Sequence, residues 1–130
     1  MDEARRLAQL DFDDLTAPYL GRSGADRAAM FGGSGLRLNG KFVGFVASGG
    51  RLVLKLPAER AAAVIAGGGG EPVTVGGRAT REWVGVPHAA VASWPALIGE
   101  AFDYMSALTR SGSGPAGPNS TTASSKPASA

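Results

Sequence analysis

An α+β fold, an antiparallel sheet with helices packed on one face, is predicted by three features of this 130-residue chain. Asn39-Gly40 stands between two apolar runs, and both central positions of a type I′ hairpin turn need the positive φ that these residue types tolerate. The segment Arg51-Leu52-Val53-Leu54-Lys55-Leu56 alternates strictly, with leucines on one side and Arg51, Val53 and Lys55 on the other, as in a strand with one face in water. Apolar residues at three- and four-residue spacing near both ends of the folded part mark helices.

In chain order, Ala4, Leu7, Ala8, Phe12, Leu15 and Tyr19 draw one stripe along a first helix, which Pro18 ends or kinks. A loop, Gly-Arg-Ser-Gly-Ala-Asp, leads to two strands, Phe31 to Leu38 and Lys41 to Ala47, paired about Asn39-Gly40. Ser48-Gly49-Gly50 turns the chain into the alternating third strand. Pro57 then takes the first position of a short helix, and Gly67 is expected as its left-handed C-terminal cap. Two further strands, near Pro72 to Val75 and Thr80 to Val86, are joined at Gly76-Gly77. Ser93 is expected to cap a last helix with Pro95 in its first turn. Trp94, Leu97, Ile98, Ala101, Met105 and Leu108 line its inner side, while Glu100 and Asp103 face away. The predicted order is α-β-β-β-α-β-β-α.

Residues 1–110 suffice for one domain with one core. Residues 111–130 are Ser, Gly, Pro, Ala and Thr with a single Asn and Lys, hold no large apolar side chain, and are expected to form a disordered tail. The chain contains no cysteine, which removes thiol nucleophiles and thiolate metal cages and fits a reducing compartment. No signal-peptide pattern and no membrane-length apolar run is present, so a cytoplasmic location is expected. The pI of 9.4 overstates the field, because the net charge is only +2.

Met30-Phe31-Gly32-Gly33-Ser34-Gly35 invites a phosphate-loop reading. Such a loop precedes a helix, whose N-terminal N–H groups meet the anion, whereas here a strand follows. After Gly33 and Gly35 the third glycine position holds Leu38. These glycines therefore read as turn, bulge or close-approach positions.

The same stretch carries a resemblance. Met30, Phe31, Gly32, Gly33, Gly35, Asn39 and Gly40, followed by Lys41-Phe42, the Leu-Val-Leu-Lys-Leu-Pro strand ending and Glu82-Trp83-Val84 with Val86-Pro87, resemble the N-terminal domain of the TfoX/Sxy family, bacterial proteins linked to competence regulation. The similarity spans roughly residues 11–108. It implies a secretion-chaperone-like α+β fold with the element order given above, and a regulatory role exercised by protein–protein interaction. Family members implicated in competence carry a second, helical C-terminal domain, in whose place this chain has its tail.

The remaining residues offer little chemistry. His88 is the single histidine, and no carboxylates cluster with it in sequence to make a metal site. Ser93 lies near it but reads as a helix cap, and Asp11, Asp13 and Asp14 read as a solvated helix face. Trp83 and Trp94 read as packing residues. No catalytic, cofactor-binding or metal-ligating residue is assigned. Arg37, Arg51, Lys55, Arg78 and Arg81 form a basic sheet surface able to touch phosphates or a partner, although no aromatic residues interleave with them to stack bases. The sequence thus points to a non-enzymatic regulatory or adaptor protein that binds a protein partner or itself as a homodimer. Weak sequence-independent nucleic-acid binding through the basic face is the alternative, and an uncharacterised small enzyme is a further one.

Overall fold

The computed structural model describes residues 3–30, 33–75 and 77–112, excluding the side chains of residues 30, 75, 78, 79 and 110–112. Its elements are α1 (Glu3–Thr16), β1 (Ala25–Met30), β2 (Gly33–Leu38), β3 (Lys41–Ala47), β4 (Arg51–Lys55), α2 (Ala58–Ala66), β5 (Glu71–Val75), β6 (Arg78–Val86) and α3 (Trp94–Gly112), with 3-10 turns at Ala17–Gly21, Ser48–Gly50 and His88–Ser93. All six strands form one antiparallel sheet in the order β1-β2-β3-β4-β6-β5. The α+β class predicted from the sequence holds, with one strand more than the pattern showed.

The additional strand is β1, where a loop was expected. Its sequence, Ala-Asp-Arg-Ala-Ala-Met, has neither alternation nor β-branched residues, so nothing local favours a strand. It forms because all six of its residues find partners along β2, from Ala25↔Leu38 to Met30↔Gly33. Phe31 and Gly32, expected at the head of the second strand, lie outside the described residues.

The β2–β3 hairpin turns where expected, with φ of 53° at Asn39 and 82° at Gly40. Asn39 is tied further: its N–H donates to the Gly24 carbonyl at 2.8 Å, and its Nδ2 donates to Thr109 Oγ1 on α3, also at 2.8 Å. A side chain at Gly40 meets only open space, so Gly40→Ala bears the cost of positive φ alone. Its stability in chemical denaturation should fall by about 1–2 kcal/mol with no change in oligomeric state or spectrum.

Within β3 the alternation is interrupted. Leu36 pairs with Gly44 but Arg37 pairs with Phe42, leaving Val43 as the extra residue of a bulge. Val43 and Gly44 consequently both turn toward the helices and are buried. Gly44 permits close approach there, since a Cβ would lie 2.7 Å from Leu54 Cδ2.

One core joins the helices to one face of the sheet. Ala8 and Phe12 of α1, Ala61 and Val64 of α2, and Trp94, Leu97, Ile98, Ala101, Phe102 and Met105 of α3 cover Leu36, Leu38, Leu52, Leu54, Leu56, Val84 and Val86. Three expected members of the inner stripes are exposed, Ala4, Leu7 at 43% and Leu108 at 40%, because each helix buries a narrower face than its apolar periodicity suggests. Thr16 replaces one of them in the core, where its hydroxyl donates to the Phe12 carbonyl at 2.7 Å and closes the last turn of α1. Pro18 falls in the 3-10 turn that follows.

Both predicted caps are corrected. Gly67 has φ −82°, and the left-handed residue after α2 is Gly68, at +79°. Gly68 N–H donates to the Ile65 carbonyl and Gly69 N–H to that of Val64, the paired bonds of a Schellman ending, in which the left-handed position lies one residue later. Ser93 belongs to the preceding 3-10 turn, and its hydroxyl donates backward to the Ala90 carbonyl at 2.8 Å rather than forward into α3.

Candidate interaction surface

Because α1, α2 and α3 all pack on one face of the sheet, the other face is built from strand residues alone. Residues directly opposite in a ladder share a face. The pairs Arg37↔Phe42, Phe45↔Val53, Val53↔Gly85, Lys55↔Trp83 and Glu71↔Gly85 therefore place these side chains together on the helix-free side.

Three aromatic rings run across that face. Phe42 and Phe45 meet edge to face with centroids 6.4 Å apart, and Phe45 tilts against Trp83 at 6.1 Å. Gly35 of β2 seats the first ring, since a Cβ there would lie 2.9 Å from the Phe42 ring and equally close to the Gly44 carbonyl. The β3 bulge is what brings Phe42 and Phe45, three residues apart, onto one side. Beneath the rings Val53 is buried although no helix covers it, and Val73 of β5 is buried at the far margin. Regular alternation of the Lys41–Ala47 strand would have split these phenylalanines between faces, which is why the sequence pattern concealed the row.

The expected basic surface lies around this row, but three of its cations, Arg37, Arg51 and Lys55, are paired with carboxylates of this chain. Arg37 donates two hydrogen bonds to Asp26, at 2.8 and 2.7 Å. This holds the Asp26 carboxyl below its ordinary value, chiefly through hydrogen bonding, and raises the Arg37 guanidinium. Arg51 Nη1 donates to Glu71 at 2.9 Å, and Lys55 Nζ sits 3.6 Å from Glu82 and 5.7 Å from the centre of the Trp83 ring. Exposed pairs of this kind add little stability. Their effect here is to give the rim mixed sign. Arg81 is exposed on the strand that carries Trp83, and the Arg78 side chain lies outside the described residues.

The glycine-rich stretch sits in the sheet. Met30 ends β1, Gly33 and Gly35 belong to β2, and Asn39-Gly40 forms the next turn, so the chain passes from strand to strand with no helix N-terminus following the glycines. A Cβ at Gly33 would lie closest to Oε1 at the flexible end of the Gln9 side chain, 2.5 Å away, so no backbone contact requires a glycine there.

Other polar residues are occupied by structure. The three aspartates of α1 are separated: Asp11 meets His88 Nε2 at 2.6 Å, Asp13 accepts from Gln9 and Arg27, and Asp14 is exposed. The His88–Asp11 pair was not legible in the sequence, being 77 residues apart, and it ties α1 to the turn before α3, where His88 also tilts against Trp94. The described residues place no group of three or more His, Asp or Glu around one point, and contain no helix long and apolar enough to cross a membrane.

Tyr104 of α3 donates its hydroxyl to Glu82 at 3.0 Å. Desolvation first, then this hydrogen bond, raise the phenol above its ordinary value. A raised phenol favours the protonated fold, so its contribution is complete below the ordinary phenol range and is lost as pH climbs beyond about 10. Thermal melting between neutral and strongly alkaline pH should show that decline, and Tyr104→Phe should flatten it.

Comparison with protein-family models, with curated proteins and with solved structures finds no match to this chain. The fold and surface define an α+β domain whose sheet carries helices on one face and an aromatic row bordered by ion pairs on the other.

Proposed function

We propose that this protein is a small non-enzymatic regulatory or adaptor domain that binds a protein partner through its helix-free sheet face, acting in the cytoplasm. The observation that carries this reading is the row Phe42–Phe45–Trp83, backed by Val53 and rimmed by ion pairs. Aromatic side chains with an apolar body are the usual anchors of protein interfaces, and a rim of mixed sign suits a protein surface better than a polyanion. The resemblance of Met30–Gly40 and Glu82–Pro87 to the TfoX/Sxy N-terminal domain supports the same role, and we assign the chain to that type, serving competence-type regulation.

Nucleic-acid contact through Arg37, Arg51, Lys55, Arg78 and Arg81 is the competing reading. The aromatic rings lie among these cations after all, which favours it, but three of the five are engaged by carboxylates. A catalytic role for His88 has less support, because Ser93 directs its hydroxyl to a backbone carbonyl.

Two measurements test the proposal. Affinity capture with the wild type should retain a partner that Phe42→Thr and Trp83→Thr lose while their melting transitions remain cooperative. Fluorescence anisotropy of labelled duplex and single-stranded DNA, at low and physiological salt, should show no binding. Salt-dependent binding abolished by Arg51→Glu with Lys55→Glu would replace the protein-partner reading with the nucleic-acid one.

A further inference from the structure

We infer that two copies of this chain pair through β1, antiparallel across a two-fold axis at Ala28, joining their sheets into one. The argument starts from the two edges of the sheet, β1 and β5. Strand edges present unpaired backbone N–H and C=O groups, and proteins guard them with proline, bulges or charges. The β5 edge has such guards: Pro72 lacks a donor, and the register with β6 shifts between Pro72 and Thr74. The β1 edge has neither, since its sequence contains no proline and its six-residue pairing with β2 is unbroken.

Its charges do not guard it either. Asp26 is taken by Arg37 in a two-bond pair, and Arg27 donates to Asp13, to Thr16 Oγ1 and to the Asp13 carbonyl. Both charges of the strand are thereby held by the rest of the chain. What remains along the edge, Met30 apart, is backbone and alanine.

Centring on Ala28 pairs residues 26–30 of each copy, the longest β1 overlap that sets no like charges opposite. A two-fold axis through Arg27 would set two guanidinium groups opposite each other, which is destabilising. An axis through Ala28 places Ala28 opposite Ala28, Arg27 opposite Ala29 and Asp26 opposite Met30, so no like charges meet. The interface is isologous and closes at two copies, because each chain offers one open edge. It also aligns the aromatic faces on one side of a continuous sheet, giving a partner two equivalent surfaces.

The test uses the full-length chain. Sedimentation equilibrium at micromolar to submillimolar concentration should give twice the monomer mass for the wild type and the monomer mass for Ala28→Lys, with unchanged circular dichroism. Since the native chain has no cysteine, Ala28→Cys provides a unique thiol. A thiol-specific cross-linker should convert it to covalent dimer, and should not do so for Thr74→Cys on the opposite edge. A monomeric wild type, a dimer that survives Ala28→Lys, or equal cross-linking at both edges would overturn the inference. Trp83→Thr should leave the mass at the dimer value, so a failure of the aromatic-face reading stays distinct from a failure of this one.

Discussion

Replacing Trp94 with alanine is expected to cause the largest loss of stability of any single truncation in this protein. Trp94 is completely buried and heads the set of largest fully buried side chains. It sits where α3 begins, against the His88 ring at 5.5 Å, and so helps join the helix, the preceding turn and the sheet core. Truncating a buried Trp costs about 3–5 kcal/mol through lost transfer energy and the cavity that remains. Domains of this size hold about 5–15 kcal/mol in total. At roughly 4–8 °C per kcal/mol, the melting temperature should drop by about 12 °C or more. Trp94→Phe should cost much less, because the indole Nε1 is buried without a hydrogen-bond partner among the described residues, so its loss removes packing but no bond. A Trp94→Phe variant as unstable as Trp94→Ala would show that Nε1 is bonded after all.

The second large effect is expected at Gly50. This residue is buried at φ +86°, and a Cβ would lie 2.8 Å from the Ala4 carbonyl oxygen and 3.3 Å from Ala8 Cβ. Gly50→Ala therefore combines left-handed strain with displacement of α1, and should cost about 2–4 kcal/mol. Gly49 supplies the control: its φ is +78°, yet a Cβ there meets nothing within 4 Å. Gly49→Ala should cost only the strain, about 1–2 kcal/mol. Equal losses at the two positions, measured by chemical denaturation, would mean that α1 does not lie against this turn.

That contrast illustrates what can be read from a sequence. Ser48-Gly49-Gly50 announces a turn, but only the position of α1 distinguishes one glycine that tolerates a methyl group from one that does not. The same limit applies to His88 and Asp11, whose pairing depends on α1 and α3 being neighbours. It applies also to Arg37, Arg51 and Lys55, which in the sequence look like part of a positive surface and in the fold are paired with Asp26, Glu71 and Glu82 from other strands.

By itself the sequence determined the α+β class, the hairpin at Asn39-Gly40, the strand at Arg51–Lys55, and the short helix and last helix, because turn chemistry and apolar periodicity act over a few residues. Tertiary structure alone decided three things. It made a strand of Ala25–Met30, which has no local β preference and forms by pairing with β2. It inserted the bulge at Val43 that gathers Phe42 and Phe45 on one face with Trp83. It also paired Arg37, Arg51 and Lys55 beside that row with carboxylates. Each depends on cross-strand register, which arises between segments distant in sequence and so leaves no periodic signature within either one.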